Sequence, residues 1–223
     1  MMLEIILFIA IITIPAIAQG YISLSYKKYS EVDNSKKISG FETARKILDA
    51  NGLKDMDIVS TPGTLTDHYD PSRKVVRLSS SNFNDESVAA MAVAAHECGH
   101  AIQDKEGYLL LRLRSLIYPI VRIGTGLSYI IIVIGCLLQF VGLVYVGIAF
   151  TALGLLFQLV TLPVEIDASK RAGKQLKALG LASTSDASGV KSVLIAAAST
   201  YLAGVLASAL QVLRLVLVFY RKD

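Results

Sequence analysis

Residues 93–103 read Val-Ala-Ala-His-Glu-Cys-Gly-His-Ala-Ile-Gln, and the spacing inside this stretch is the most informative in the chain. His96 and His100 lie four positions apart, so on a helix both imidazoles share one face and can reach one ion. Zinc accepts such nitrogens at about 2.0–2.1 Å. Glu97 is turned by about 100° around the helix axis, so it can face a metal-bound water without being a ligand. The spacing therefore predicts a zinc site in which Glu97 is the base.

A catalytic zinc ion usually has three protein ligands and one water, so the two histidines leave one ligand to find. Glu165 is the favoured candidate, within residues 162–169 (Leu-Pro-Val-Glu-Ile-Asp-Ala-Ser). Two membrane crossings are expected between His96 and Glu165, and two crossings return the chain to the same side. Pro163 suits the first turn of a helix that carries Glu165 towards the metal. His68 is the alternative third ligand.

Two residues and one strand are candidates for supporting roles. Asp167 is expected either to orient a histidine ligand or to be solvated. If His68 is not a ligand, it is a turn residue, a substrate contact or a donor to the developing oxyanion. The strand predicted at residues 74–79 is the candidate for binding an extended peptide along an exposed edge.

The apolar residues of the chain are concentrated in long stretches. Of the 223 residues, 53% are hydrophobic and 18% are charged, with a mean hydropathy of +0.55. Soluble proteins average about 25% charged residues. The 48-residue stretch 115–162 suits two crossings of about 20 residues each, with a turn near residues 136–142. The sequence predicts a mainly α integral membrane protein with three or four membrane helices and a short β hairpin or strand.

The chain divides into five predicted parts. They are a membrane anchor (1–24), a zinc-binding catalytic region (25–114), a two-helix membrane hairpin (115–162), the third-ligand helix and loop (163–190), and a C-terminal apolar helix, membrane or interfacial (191–223). The first part is interpreted as an uncleaved anchor because no Lys or Arg precedes its apolar stretch, as a signal peptide requires. In the catalytic region, helices are expected at 40–51 and from Asn82 or Asn84 to about Asp104.

The basic residues predict which side of the membrane holds the catalytic region. The net charge is +4, and 18 of the 22 Lys and Arg lie in residues 25–114 or 164–191. The positive-inside rule therefore places these parts in the cytoplasm. If the last helix crosses the membrane, Arg221 and Lys222 end outside, so a partly interfacial helix is the alternative. No basic stripe with interleaved aromatics is present, which argues against a nucleic-acid partner.

Four stretches of the chain resemble the bacterial YugP-like neutral zinc metallopeptidases. They are Asp67–Pro71, Val76–Ser79, Val93–Gln103 and Leu162–Ser169. The resemblance implies membrane association and zinc. More distantly, the chain is similar to the HtpX-like membrane proteases, in which a zincin-like helix precedes two membrane helices and a glutamate ligand. In that group an Ala-Asp pair follows the glutamate; here Ala168 matches but Ser169 replaces the Asp, which makes Asp167 the candidate substitute.

These observations predict a multi-pass cell-membrane zinc metallopeptidase that cleaves peptides or proteins, among them membrane or misfolded proteins. Two alternatives stay open at this point. One is an intramembrane protease with zinc inside the bilayer, which the charges flanking residues 88–102 disfavour. The other is a non-catalytic zinc-binding membrane scaffold or chaperone, in which an intact Glu97 would have no structural purpose. Catalysis is therefore the favoured interpretation.

Overall fold

A computed structural model describes residues 2–220, apart from the side chain of Tyr220. These residues form a mainly α structure with a small sheet, as the composition predicted. In chain order the elements are α1 (Met2–Ser30), α2 (Gly40–Ala50), β1 (Asp57–Thr61), β2 (His68–Asp70), β3 (Val75–Ser79), α3 (Ser80–Asn84), α4 (Val88–Lys105), α5 (Leu109–Leu137), α6 (Val141–Ala178) and α7 (Thr184–Tyr220).

The chain forms two compact units. The first, here called the membrane unit, comprises the chain up to Gln19, Arg112–Pro163 and the chain from Thr200 onwards. The second, here called the site unit, comprises Gly20–Leu111 and Val164–Ser199. Helices α1, α5, α6 and α7 each contribute residues to both units. From α5, only residues 109–111 belong to the site unit.

Among residues 2–220, four helices, α1, α5, α6 and α7, are long and apolar enough to cross a membrane. This number agrees with the three or four membrane helices that the sequence predicted. Residues 138–140 connect α5 to α6, inside the turn predicted at 136–142. Helix α7 is apolar over a length that suits a full crossing. Arg221 and Lys222, on which the alternative of an interfacial helix depended, lie outside the described residues.

The helix that carries Glu165 does not begin at Pro163, so this sequence prediction was wrong. Pro163 lies inside the 38-residue helix α6, which runs without a break from the apolar stretch to Ala178. Proline removes one backbone hydrogen bond and is favoured in first turns, but helices at membrane depth tolerate it in their interior. Glu165 is therefore held on the continuation of a membrane helix and not on a separate one.

Helix α2 confirms the helix predicted at 40–51. Ser39 caps it: its hydroxyl accepts from the Glu42 backbone N–H at 3.2 Å, and the Glu42 carboxylate accepts from the Ser39 N–H at 2.8 Å. This reciprocal pair satisfies two backbone donors that a helix start leaves free. The buried face of α2 presents Ala44, Ile47 and Leu48 to the core of the site unit, where α4 packs against it.

Helix α4 begins later than the sequence predicted. Asn82 and Asn84 belong to the separate short helix α3, and the cap of α4 is Ser87, whose hydroxyl accepts from the Ala90 backbone N–H at 3.1 Å. The Asn residues were attractive because Asn, like Ser, favours helix starts. The later start makes α4 an 18-residue helix whose alanine-rich side is buried among α2, the sheet and α6.

The strand order contradicts the prediction that residues 74–79 bind an extended peptide along an exposed edge. The order of the sheet is β1-β3-β2, with β1 parallel and β2 antiparallel to β3. The strand predicted at residues 74–79 is β3, the central strand, so both of its edges already carry hydrogen-bonded neighbours. An extended peptide cannot add to it, and the edges available for pairing in this sheet belong to β1 and β2. Strand β1 was not predicted from the sequence, because it is short and lacks an alternating pattern.

Candidate metal centre

Helices α4 and α6 bring together His96, His100 and Glu165. The Oε2 atom of Glu165 lies 3.2 Å from Nε2 of His96 and 3.4 Å from Nε2 of His100. The ligand atoms of the three residues lie within 4.8 Å of one another. The carboxylate of Glu165 is almost fully buried, and the two imidazoles are nearly so. Glu165 follows His100 by 65 positions and His96 by 69 in the sequence. The three residues nevertheless form one compact group of metal-ligating atoms.

The three side chains fit a zinc ion in both chemistry and spacing. Two neutral imidazoles and a carboxylate form one of the ligand sets of catalytic zinc sites. Donor atoms about 2.0–2.1 Å from a shared ion in tetrahedral arrangement lie roughly 3.3 Å from one another. The observed separations of 3.2 and 3.4 Å match that edge length.

The close approach of α4 to α6 depends on Gly99. A Cβ atom at this position would lie 2.5 Å from the backbone oxygen of Ala168 and 3.0 Å from its carbonyl carbon. No side chain fits there unless the α6 backbone moves away. Gly99, between the two histidines, and Ala168, three residues after Glu165, together set the distance at which the ligands meet.

Gln103 fixes the tautomer of His100. Its amide nitrogen donates to the Val164 carbonyl and to the Asp167 carboxylate, both at 2.8 Å. Its amide oxygen therefore faces Nδ1 of His100, at 3.0 Å. Because this oxygen can only accept, Nδ1 carries the proton and Nε2 keeps the lone pair that a metal requires. Gln103 itself is fully buried.

Asp167 and Ser169 support the histidines in different ways. Asp167 contacts His100 only through Gln103, and it also accepts from the Arg171 guanidinium at 2.5 Å. The Ser169 hydroxyl lies 3.2 Å from Nδ1 of His96. Of these two residues, Ser169 therefore makes the direct contact with a histidine. Such outer contacts hold the rings in place and select the nitrogen that faces the metal.

Glu97 lies on α4 next to this cluster and is itself buried. Burial raises the pKa of Glu97 to about 7, although a hydrogen bond from the backbone N–H of Tyr69 acts in the opposite direction. Tyr69 belongs to β2, so the edge strand of the sheet contacts the carboxylate. A carboxyl group with a pKa near neutrality can both take and return a proton at physiological pH.

Two other residues, His68 and Cys98, lie outside the cluster. The side chain of His68 is exposed, and its Nδ1 lies 2.8 Å from the carbonyl oxygen of Thr66, two residues earlier. It is not among the three grouped ligands, and a role in substrate contact stays a prediction. Cys98 is buried as a free thiol and points towards the Ala44 carbonyl of α2, at 3.6 Å.

Comparison with known proteins identifies the family of this chain. The profile of the family described as "Putative neutral zinc metallopeptidase" matches residues 4–220. The chain belongs to this family. It is 43% identical over 218 residues to the "Putative membrane protease YugP" of Bacillus subtilis (strain 168), which covers 98% of this chain and 97% of that protein. No solved structure matches the chain.

The family and the four apolar helices together show that this is a membrane protein of a zinc-peptidase family.

Three contributors to the site were missed in the sequence: Gly99, Gln103 and the backbone of Tyr69. Gln103 had a readable signal, because it follows His100 by three residues and so lies on the same helix face. The roles of Gly99 and Tyr69 depend on contacts with distant segments, and no local pattern reports them.

Proposed function

We propose that this chain is a zinc-dependent endopeptidase of the cell membrane, with its active site at the cytosolic face. One observation carries the proposal: Glu165 reaches both histidines of the His-Glu-x-x-His sequence, with a buried Glu97 beside them. A purely structural zinc site is normally closed by four protein ligands. Within residues 2–220 only three such residues are grouped around this position, which leaves one coordination position for water.

In this proposal His96 and His100 hold zinc through Nε2, and Glu165 holds it through a carboxylate oxygen. When bound, zinc supplies Lewis acidity, which polarises a peptide carbonyl and makes a water molecule acidic near neutral pH. Gln103 and Ser169 keep the imidazoles in the tautomer and orientation that ligation requires.

Glu97 moves the proton. It accepts one proton from the attacking water while the water oxygen bonds to the carbonyl carbon of the peptide. The C–N bond then breaks, and Glu97 returns the proton to the leaving nitrogen, so that one carboxyl product and one amine product form. The hydrogen bond from the Tyr69 backbone holds the carboxylate in position for both transfers.

The distribution of charge supports a cytosolic site. Thirteen Lys and Arg lie in residues 25–114 and five in residues 164–191, the stretches that carry the site residues. The site residues belong to the site unit, and α4 is not among the helices apolar enough to span. This favours an active site at the surface of the bilayer over an intramembrane one. We propose peptides, and membrane or misfolded proteins, as substrates.

The orientation can be tested with single cysteine labels in a Cys136→Ala background. Lys54→Cys and Lys177→Cys, both exposed, should react only with reagents that reach the cytoplasm. Leu138→Cys, in the exposed turn between α5 and α6, should react from outside and serves as the opposite control. Labelling of the Lys54→Cys and Lys177→Cys variants from opposite sides of the membrane would contradict the topology and exclude Glu165 as a ligand.

Catalysis is tested by comparing Glu97→Gln with Glu165→Gln in purified protein, using metal analysis and cleavage of an unfolded substrate. Glu97→Gln keeps the metal ligands but removes the proton acceptor, so zinc should stay at about one per chain while cleavage falls by at least about 10²-fold. Glu165→Gln exchanges a charged oxygen ligand for a weak neutral one, so zinc affinity itself should fall. Excess zinc should restore part of the activity only to Glu165→Gln.

Glu31→Gln, on an exposed part of the chain, is the matched control and should change neither zinc content nor cleavage. A native chain that binds zinc but cleaves nothing, with Glu97→Gln indistinguishable from it, would favour the zinc-binding scaffold or chaperone. Normal zinc binding by Glu165→Gln, together with metal loss in His68→Ala, would make His68 the third ligand.

A further inference from the structure

A groove between α6 and α7 in the site unit shares Ser169 with the candidate metal centre and otherwise consists of residues outside it. Its volume is about 310 Å³. Its lining combines aliphatic side chains, among them Ile166, Leu194 and Ile195, with two lysines, Lys170 and Lys191. Ile166 and Ile195 are 37% and 49% exposed. The groove is therefore open, and its floor is apolar.

The two lysines give the groove a positive rim. Lys170 and Lys191 are both exposed, and within residues 2–220 neither ammonium group forms an ion pair with a carboxylate. The nearest acidic group on α6, Asp167, is engaged by Gln103 and Arg171. A ligand with one negative charge beside an apolar portion would complement both features of the groove.

The position of the groove along α6 matches the border of a bilayer. The apolar stretch of this helix ends at about Pro163. Ile166 and Lys170 follow by three and seven residues, which is about 5 and 10 Å along the axis at 1.5 Å per residue. Side chains tilt towards the N-terminus of a helix, which for α6 is the apolar end. The headgroup layer is roughly 5–8 Å thick on each side, so the Lys170 ammonium reaches phosphate level.

We propose that this groove binds one anionic phospholipid, with its phosphate at Lys170 and Lys191 and an acyl chain along Ile166, Leu194 and Ile195. Basic pockets between helices on the cytoplasmic side are the usual recognition sites for anionic headgroups. A peptide fits less well, because the backbones of α6 and α7 satisfy their own hydrogen bonds and offer none to an extended chain. The proposal does not depend on catalysis or on zinc.

Gly173 allows a sharp test. A Cβ atom at this position meets no heavy atom within 4 Å, and the residue lines the groove, so Gly173→Leu fills the space without a clash. Gly20, on α1, has equally open surroundings and does not line the groove, which makes Gly20→Leu the matched control. For the charges, the double variant Lys170→Gln/Lys191→Gln is compared with Lys174→Gln/Lys177→Gln, which removes the same charge outside the groove.

The experiment is native mass spectrometry of the full chain, delipidated in detergent and titrated with phosphatidylglycerol, phosphatidylcholine or glycerol 3-phosphate. We expect one phosphatidylglycerol to bind about tenfold more tightly than phosphatidylcholine, and glycerol 3-phosphate alone to bind at least tenfold more weakly. Gly173→Leu should lose this lipid, and the Lys170/Lys191 variant should lose the preference for phosphatidylglycerol. Both control variants should bind like the native chain.

Several results would overturn the proposal. Equal binding of the two lipids by the native chain would do so, as would native-like lipid binding by Gly173→Leu. Equal losses of phosphatidylglycerol binding in both lysine double variants would indicate a general attraction to negatively charged lipid and not a binding site in the groove. If Gly173→Leu keeps the lipid but raises KM for peptide cleavage, the groove is a peptide subsite. Loss of zinc in His96→Ala/His100→Ala should leave lipid binding unchanged, which separates this test from that of the peptidase.

Discussion

Helices α4 and α5 are both apolar, and they bury very different fractions of their surface. Of the 18 residues of α4, 14 are buried. Over the most apolar part of α5 only 28% of the residues are buried, and Leu116, Ile120 and Ile123 are each more than half exposed. The helices also differ in side-chain size, since α4 is rich in Ala and α5 in Leu and Ile.

This contrast shows that apolar composition alone does not tell where a helix lies. Small side chains let neighbouring backbones come close, so α4 can be surrounded by α2, α6 and the sheet. Large aliphatic side chains project outward and suit contact with lipid. In the site unit each buried position is therefore specified by its neighbours, whereas in the membrane unit many positions need only be apolar.

The largest expected effect comes from Gly99→Val. The added side chain collides with the Ala168 backbone at distances that real Cβ atoms do not adopt, so α6 must move and the ligands separate. We expect zinc binding to be lost and the thermal unfolding midpoint to fall by at least several degrees. Gly126→Val on α5, where a Cβ meets nothing within 4 Å, should behave like the native chain. Similar losses in both variants would contradict the contrast between the helices.

Met91→Ala should give the next largest effect. Met91 is fully buried on α4, and removing its side chain leaves a cavity that costs about 2–5 kcal/mol of the free energy of unfolding. Leu116→Ala on α5 removes a side chain that is 74% exposed, and we expect a change below about 0.5 kcal/mol. Denaturant or thermal unfolding in one detergent measures both. Equal costs would show that α5 is packed as tightly as α4.

Gln103→Leu tests whether the buried polar residue on α4 is specified by its partners. Its loss leaves Nδ1 of His100 without an acceptor and frees the tautomer, so zinc affinity should fall by about 10–100-fold. Competition with a chelator measures this affinity. Gln175→Leu, on α6, removes only a contact with Asn51 and should leave zinc affinity unchanged. Unchanged affinity in Gln103→Leu would mean that the packing of His100 alone fixes its tautomer.

Much of the site could be read from the sequence because its central part is local. The four-residue spacing of His96 and His100 defines a shared helix face wherever the helix lies. Glu165 was predicted from topology, because an even number of crossings returns the chain to one side. The start of its helix was predicted wrongly, since a proline in the sequence is compatible both with the first turn of a helix and with the interior of a long membrane helix.

The sequence by itself determined the apolar stretches, the two-histidine helix and the candidate carboxylate, because hydrophobic length and helical periodicity depend only on neighbouring residues. The tertiary structure decided that β3 is a central strand, that Ser169 contacts His96, and that Asp167 acts through Gln103. It also decided that Gly99 must lack a side chain. These features depend on which distant backbones approach one another, and such distances are set by packing across the whole site unit and not by any local pattern.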